Sequence, residues 1–319
     1  MNVDFSGLFS ADFLNYTLDG IVVGAIYALV SLGYTMVYGV LRLINFAHSE
    51  IFMLGTFAAL GVTFLFGYSD LMEPLSIIAF IGVFLLIIVA SAAASGGVAV
   101  LLELVAYRNL RRRGANRLSS LISAIGASLF LIELFRILTK SRDWAFPELL
   151  SPDVVFTIGT AEFTAAKIIV IIGAGIMMFV LERIINRTKL GLGIRAVSQD
   201  EKTAVLMGVN VDRVITFTFL LGGILAGVAA SFYMLFYGQT KFNAGFLMGM
   251  SAFTAAVLGG IGNIRGALVG SFALGLLQQY ASAVLPYNWR DVIAFVVLVF
   301  VLLVKPTGLL GEALQKARV

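Results

Sequence analysis

Long runs of apolar residues alternate with short polar gaps along nearly the whole chain. The runs fall near residues 15–40, 46–66, 75–106, 119–138, 164–186, 214–237, 244–261, 264–285 and 290–305. A helix needs about 20 apolar residues to cross the hydrocarbon core of a bilayer, because every backbone N–H and C=O must be hydrogen-bonded within the segment. The pattern therefore predicts an all-α integral membrane protein with eight to nine transmembrane helices.

The composition supports this interpretation. Hydrophobic residues make up 60% of the chain and charged residues 13%, with a mean hydropathy of +1.00. A soluble domain cannot carry so little polar surface. We expect residues 1–319 to form a single transmembrane domain surrounded by membrane lipid. No basic residue precedes Arg42, so the first helix does not look like a cleavable signal peptide.

The basic residues predict the orientation of the chain, because short cytoplasmic loops retain Lys and Arg. Two gaps dominate: one holds Arg108, Arg111, Arg112, Arg113 and Arg117, and the other runs from Arg183 to Arg213. With nine crossings, both gaps share a side with Arg42, Arg265, Lys305, Lys316 and Arg318. This arrangement predicts an extracytoplasmic N-terminus and a cytoplasmic C-terminus. If 244–261 turned back instead of crossing, the basic tail would lie outside, which the charge rule disfavours.

The net charge of +4 thus reflects membrane orientation, and no nucleic-acid partner is expected. The run at 15–40 would enter the cytoplasmic side and the run at 214–237 would leave it, and each leads into a short irregular segment. This symmetry predicts an inverted repeat, as in many transporters.

The sequence offers no candidate catalytic group or metal site. Its single histidine, His48, cannot form a paired zinc motif, and no G-x-x-x-x-G-K-[ST] phosphate loop is present. We therefore expect no enzyme activity and no cofactor on this chain. Glu133 and Arg136 lie three residues apart and are expected to pair with each other.

The gap at 187–213 is unusually long and has an apolar stretch, from Ala204 to Met207, within a charged segment. Exposed apolar residues in such a loop indicate a docking surface. The alternative is a loop helix tucked against the bundle.

Several blocks resemble the branched-chain amino-acid ABC transporter permeases of the LivH type. The first is LDGIVVGAIYALVSLGYTMVYGVLRLINFAHSEIFMLG, which contains the run from Ile44 to His48. Similar blocks begin at Glu103 (ELVAYRNLR), Gly193 (GIRAVSQDEKTAVLMGVNVDR), Ala252 (AFTAAVLGGIGNIRGALVG) and Lys305 (KPTGLLGE). The resemblance covers nearly the whole chain.

This resemblance implies a type II-like ABC importer permease in the inner membrane of a bacterium. Its partners would be a second related permease, two cytoplasmic ATPases that bind ATP and Mg, and an extracytoplasmic substrate-binding protein. The loop at 187–213 would supply the helix on which an ATPase docks. The residues expected to couple to the ATPase are Arg195, Asp200, Ala204 and Gly208.

The translocation path is expected where the first helix ends and in a short or broken segment at 244–261, because irregular segments often line cavities in transporters. The candidate path residues are Asn45, His48, Ser49, Glu50, Phe246 and Ser251. Departures from the family pattern, such as Ser49 and Asn109, leave the substrate open. Urea or another small polar solute is one alternative, and a stand-alone secondary transporter is another.

Overall fold

The computed structural model describes residues 12–68, 73–286 and 289–311 and is mostly helical. Lys316 and Arg318, which contributed to the predicted orientation, lie outside the described residues. Within these described ranges, six segments are long and apolar enough to cross a membrane. The prediction of a multi-pass helical membrane protein is therefore confirmed in its coarse form.

The element bounds follow the apolar runs closely. The candidate membrane-spanning segments contain α1 (Phe13–Leu41), α2 (His48–Leu65), α3 (Ile77–Leu102), α5 (Arg117–Leu138), α6 (Ala165–Arg187) and α9 (Val211–Tyr237). Helix α3 continues through a π-helical turn (Glu103–Tyr107) into α4 (Arg108–Arg112), which makes one span of 36 residues. The remaining helices are α7 (Lys189–Gln199), α8 (Glu201–Leu206), α10 (Ala244–Gly259), α11 (Ile264–Ser282) and α12 (Arg290–Val304).

Four short strands in the described part of the chain depart from the all-α prediction. Strands β2 (Val154–Ile158) and β3 (Ala161–Thr164) form an antiparallel hairpin, and β1 (Trp144–Ala145) pairs with β4 (Gln239–Thr240). The hairpin forms because β2 consists largely of β-branched and aromatic residues, which favour strands. Gly159, at φ +63°, begins the two-residue turn.

Helices α1 and α9 form the centre of the bundle and are the most buried of the six long segments. Helix α1 packs against α11 and α9, and α9 packs against α3 and α2. Helices α3, α5 and α6 turn most of their apolar side chains outward. Such a surface is stable only in lipid, so these helices form the outer layer of the bundle.

The two ends of the bundle differ in their loops. At one end, the basic end, Arg42 lies beside α7 and donates a hydrogen bond of 2.6 Å to the carbonyl of Ser198. At the other, the hairpin end, the backbone N–H of Glu162 donates to Asn15 at the start of α1. Lys167 of α6 pairs with Asp19 of α1 at 2.8 Å near the same end.

Small residues bring the central helices into close contact, as expected for packing in lipid, where backbones approach through glycine and alanine. A Cβ added to Gly24 of α1 would lie 2.9 Å from the Cα of Phe272 in α11. A Cβ on Gly223 of α9 would lie 2.8 Å from the Cα of Gly96 in α3. Any side chain at these positions must therefore push two helices apart.

We predict that Gly223→Ala lowers the free energy of unfolding by about 1–3 kcal/mol, because a methyl group there overpacks the α3–α9 contact. Gly97→Ala is the matched control, since a Cβ on Gly97 would meet no atom within 4 Å. Thermal unfolding in detergent measures both variants. Equal unfolding temperatures would show that this contact does not limit stability.

Candidate transport path and coupling surface

The predicted path residues at the start of α2 are buried together in the α1–α2 corner, the segment from Tyr34 to Glu50. Asn45 accepts two hydrogen bonds at its Oδ1, from the backbone N–H of Ala47 at 3.1 Å and from the hydroxyl of Tyr107 at 3.0 Å. The second bond attaches the corner to the π-helical turn after α3.

Glu50 places its carboxylate where α2, α5 and α10 meet. Its Oε1 accepts hydrogen bonds from the hydroxyls of Ser49, at 3.0 Å, and Ser128, at 3.4 Å. Its Oε2 has no hydrogen-bond partner, although a Cβ on Gly245 of α10 would lie only 2.8 Å from it. A buried carboxylate is costly unless it is paired, and Glu50 is paired through one of its two oxygens.

His48 lies between α1 and α9. Its ring packs edge-on against Tyr34, with ring centroids 4.7 Å apart. A Cβ on Gly33 would fall 2.6 Å from Cε1 of His48, so only glycine leaves room for the ring there.

Four buried polar atoms without a hydrogen-bond partner belong to the α1–α2 corner: Thr35 Oγ1, Asn45 Nδ2, His48 Nε2 and Glu50 Oε2. Buried polar atoms in proteins are almost always paired, with protein groups or with water. Their concentration in one corner sets this part of the bundle apart from the apolar packing around it.

The other two predicted path residues lie on α10, which is a continuous helix of 16 residues, short but not broken. Ser251 is buried, with 2% of its surface exposed, whereas Phe246 is 47% exposed. The structure thus brings Ser251 into the interior and leaves Phe246 on the surface.

The loop at 187–213 folds into α7 and α8, each begun by a side-chain cap. Thr188 accepts from the N–H of Gly191 at 3.0 Å, and Asp200 accepts from the N–H of Lys202 at 2.9 Å. Asn210 caps α9 in the same way, through the N–H of Arg213 at 3.0 Å. Three caps within one loop give it a defined shape, because each satisfies a free backbone donor.

The four predicted coupling residues have different environments. Arg195 is exposed on α7, and its guanidinium donates to Asn186 at 3.5 Å. Ala204 is 4% exposed and faces the bundle. Gly208 follows α8 at φ +82°, a left-handed conformation that favours glycine and turns the chain toward α9.

The exposed face of α8 and its C-terminus is apolar. Leu206 is 86% exposed, and Val205 and Met207 are exposed beside it. The alternative of a loop helix tucked against the bundle describes α7, which packs against α6 and α9. In α8 and the residue after it, Ala204 is buried while its three neighbours stay exposed. We call Val205, Leu206 and Met207 the α8 apolar patch.

Arg195 also lines a cavity of about 1280 Å³ at the basic end. Arg42 and Arg265 line the same cavity, together with apolar residues of α1 and α6. The loop at 187–213 therefore adjoins an open space that extends into the bundle as far as Leu32 of α1.

An ion network that sequence reasoning missed joins α3 and α4 to α9. Glu103, with no exposed surface, accepts hydrogen bonds from Arg108 at 2.9 Å and from the hydroxyl of Thr216 at 3.0 Å. Arg111 contacts both Glu103 and Asp212, and Arg112 pairs with Asp212 at 2.9 Å. Because Asp212 lies in the first turn of α9, this network ties α3 directly to the end of the loop at 187–213.

The π-helical turn explains why the Glu103–Arg108 pair was not evident in the sequence. Glu103 and Arg108 are five residues apart, a spacing that an α-helix does not bring to one face. A π-helical turn, with its i to i+5 hydrogen bonds, does align them. The expected pair of Glu133 and Arg136 is confirmed, at 2.7 Å.

The family of branched-chain amino acid transport system permease components matches residues 16–302. The chain belongs to this family. It is 39% identical to the high-affinity branched-chain amino acid transport system permease protein BraD of Pseudomonas aeruginosa, over 94% of this chain and 96% of that protein. It is 40% identical to the LivH permease protein of Salmonella typhimurium and 39% identical to that of Escherichia coli K12, with the same coverage.

The comparison with solved structures finds no match. As a branched-chain permease component, the chain is a membrane transport subunit and not an enzyme. The resemblance noted in the sequence is confirmed over nearly its full extent.

We predict that Asp200→Ala loosens α8, whereas Asp200→Asn does not, because Asn keeps an oxygen acceptor at the N-cap. The Thr203 hydroxyl bonded to the carboxylate holds the pKa of Asp200 below its ordinary value, so at neutral pH the charged cap is fully formed. Its stabilisation is lost only as the pH falls through that lowered pKa. Hydrogen exchange of the α8 amides measures the effect, and equal exchange in both variants would contradict it.

We predict that Glu103→Gln lowers the free energy of unfolding by about 3–5 kcal/mol, because it leaves Arg108 without its counter-charge and removes one of the two carboxylates that Arg111 contacts. Glu133→Gln, in an exposed pair, should change it by less than about 1 kcal/mol. Denaturation in detergent compares the two. A Glu103→Gln variant as stable as Glu133→Gln would mean that the network carries little energy.

Proposed function

We propose that this chain is one of the membrane-spanning subunits of an ATP-driven importer of branched-chain amino acids. The names of its relatives support the substrate class, since three full-length relatives at 39% and 40% identity are permeases for those amino acids. Its partners are a second related permease, two cytoplasmic ATPases and an extracytoplasmic binding protein. ATP and Mg are bound by the ATPases, and this chain holds no cofactor.

The α8 apolar patch is the observation that carries the ATP-driven mechanism. A transporter that works alone has no need for large apolar side chains on a capped loop outside the bundle. A partner protein that buries them gains hydrophobic stabilisation at that point. The four predicted coupling residues place this patch. Asp200 and Gly208 shape the two ends of α8, and Ala204 packs α8 against the bundle. Arg195 lies beside the basic-end cavity.

We further propose nine crossings, with the basic end in the cytoplasm. The positive-inside rule supports this orientation, because the Arg-rich end of α4, α7 and the segment around Arg265 share one end of the bundle. The backbone N–H of Leu309 donates to the carbonyl of Leu258 at 2.8 Å, so the chain returns to that end after α12. The N-terminus is then extracytoplasmic.

Packing supports the inverted repeat. In this repeat, α1, α2 and α3 correspond to α9, α10 and α11, respectively. The contact between α1 and α11 then corresponds to the contact between α9 and α3. In the same way, the α2–α3 contact corresponds to the α10–α11 contact. Helix α1 also contacts α10 as α9 contacts α2. The two short helices, α2 and α10, meet at the pseudo-symmetry axis, which is where such transporters bind their solutes.

The path in this proposal runs along the meeting of α2 and α10. Asn45, His48, Ser49 and Glu50 supply polar groups from α2, and Ser251 supplies one from α10. Phe246, on the exposed face of α10, is assigned to the wall that faces the second permease. Unpartnered polar atoms at Asn45, His48 and Glu50 support this path.

We expect Leu206→Asp to abolish co-purification of the ATPases, because a charge in the α8 apolar patch cannot be buried in the interface. Val155→Asp, the same change at an exposed apolar position of the hairpin end, is the control and should leave the ATPases bound.

The complete transporter in liposomes should take up leucine only with ATP. Uptake without ATP under an ion gradient would favour a secondary transporter, and uptake of urea in preference to leucine would favour the small-solute alternative.

A further inference from the structure

A second cavity opens at the hairpin end, on the face opposite the loop at 187–213. It measures about 370 Å³ and lies between the end of α9, β4 and the first turns of α10 and α12. Met248 and Ser251 of α10 line it, so the cavity adjoins the proposed path. Its volume falls in the range of small-molecule sites, about 300–1000 Å³.

The lining of this hairpin-end cavity carries charges of both signs. Lys241 and Arg290 contribute cations, and Asp143 and Asp291 contribute anions. Arg290 and Asp291 are adjacent at the start of α12, and Lys241 lines the same cavity. Asp143 belongs to the separate segment between α5 and β1 and adds a carboxylate from another element.

The cavity is also held in shape around its charged groups. Tyr27 donates from its hydroxyl to Oε1 of Gln278 at 2.7 Å, and Nε2 of Gln278 donates to the carbonyl of Arg290 at 3.0 Å. This chain of bonds joins α1, α11 and α12 and fixes the start of α12. A second pair of lining residues, Tyr233 and Tyr237, packs ring against ring, with centroids 4.6 Å apart.

Apolar groups complete the lining, since Leu247 and Met248 face the cavity beside the charged residues. A solute with a carboxylate, an ammonium group and an apolar side chain matches this set. A neutral solute such as urea offers no charge to Lys241 or Asp143, whereas a zwitterion offers one to each.

We infer that the hairpin-end cavity binds the zwitterionic amino acid as it enters the permease from the binding protein. Lys241 holds the carboxylate, Asp143 holds the ammonium group, and Leu247 and Met248 accept the apolar side chain. This inference rests on the proposed function, and it adds a substrate site within the permease itself. Discrimination would then begin in the binding protein and continue here.

The test is equilibrium binding of tritiated leucine to the purified complex of the two permeases and the ATPases, without the binding protein. We expect saturable binding that weakens by about tenfold or more in Lys241→Gln and in Asp143→Asn, because each loses a charge-assisted hydrogen bond. Arg142→Gln is the matched control, since Arg142 neighbours Asp143 in sequence but does not line the cavity. Leucinamide and isocaproate, which each lack one charge of the zwitterion, should compete about tenfold less well than leucine.

Absence of leucine binding, or equal binding in Lys241→Gln, Asp143→Asn and the wild type, would overturn the site. ATP-dependent leucine uptake by the complete transporter separates this failure from failure of the proposed function. Uptake by the wild type with unchanged kinetics in both variants overturns the site alone. No ATP-dependent uptake of any branched-chain amino acid by the wild type overturns the proposed function as well.

Discussion

The close approach of helix backbones at small residues is the constraint on which the rest of the structure depends. In a bilayer, an apolar side chain gains little free energy by exchanging contact with lipid for contact with another helix. Helices therefore associate through tight van der Waals contact. Gly24 and Gly275 bring α1 against α11, and Gly223 and Gly227 bring α9 against α3. These two contacts place α1 and α9 at the centre and leave α2 and α10 between them, where the polar residues lie.

That placement explains how a mainly apolar chain accommodates polar groups at its centre. Glu50, His48 and Asn45 sit where short helices and glycine backbones leave limited room, and some of their polar atoms keep no protein partner. By contrast, Glu103 is fully paired at the basic end. Glu103 thus ties helices together, whereas Glu50 lies in the path that we propose.

Much of the helical layout could be predicted, because the apolar runs and their polar gaps directly reflect the bilayer. The bounds of α9, predicted at 214–237, differ from the observed Val211–Tyr237 by only a few residues, and the Glu133–Arg136 pair follows from its helical spacing. The β2–β3 hairpin was missed because membrane patterning says nothing of structure within a gap. The Glu103 network was missed because it depends on a π-helical turn and on Asp212, which is distant in sequence.

For the candidate site, the residues at the start of α2 were predicted, but the charged hairpin-end cavity was not. Asp143, Lys241 and Asp291 are scattered over three gaps, and only the fold brings them together. The apolar stretch at 204–207, by contrast, was evident in the sequence. The division between buried Ala204 and exposed Leu206 depends on how α8 is seated.

If this chain works as one subunit of an ATP-driven importer, its partner subunits should stay bound to it outside the membrane. The most direct test is to purify the tagged chain from its native membrane in mild detergent and to identify the associated proteins by mass spectrometry. We expect two P-loop ATPases and a second, related permease. Recovery of the chain alone, still able to transport amino acids into liposomes without ATP, would contradict it.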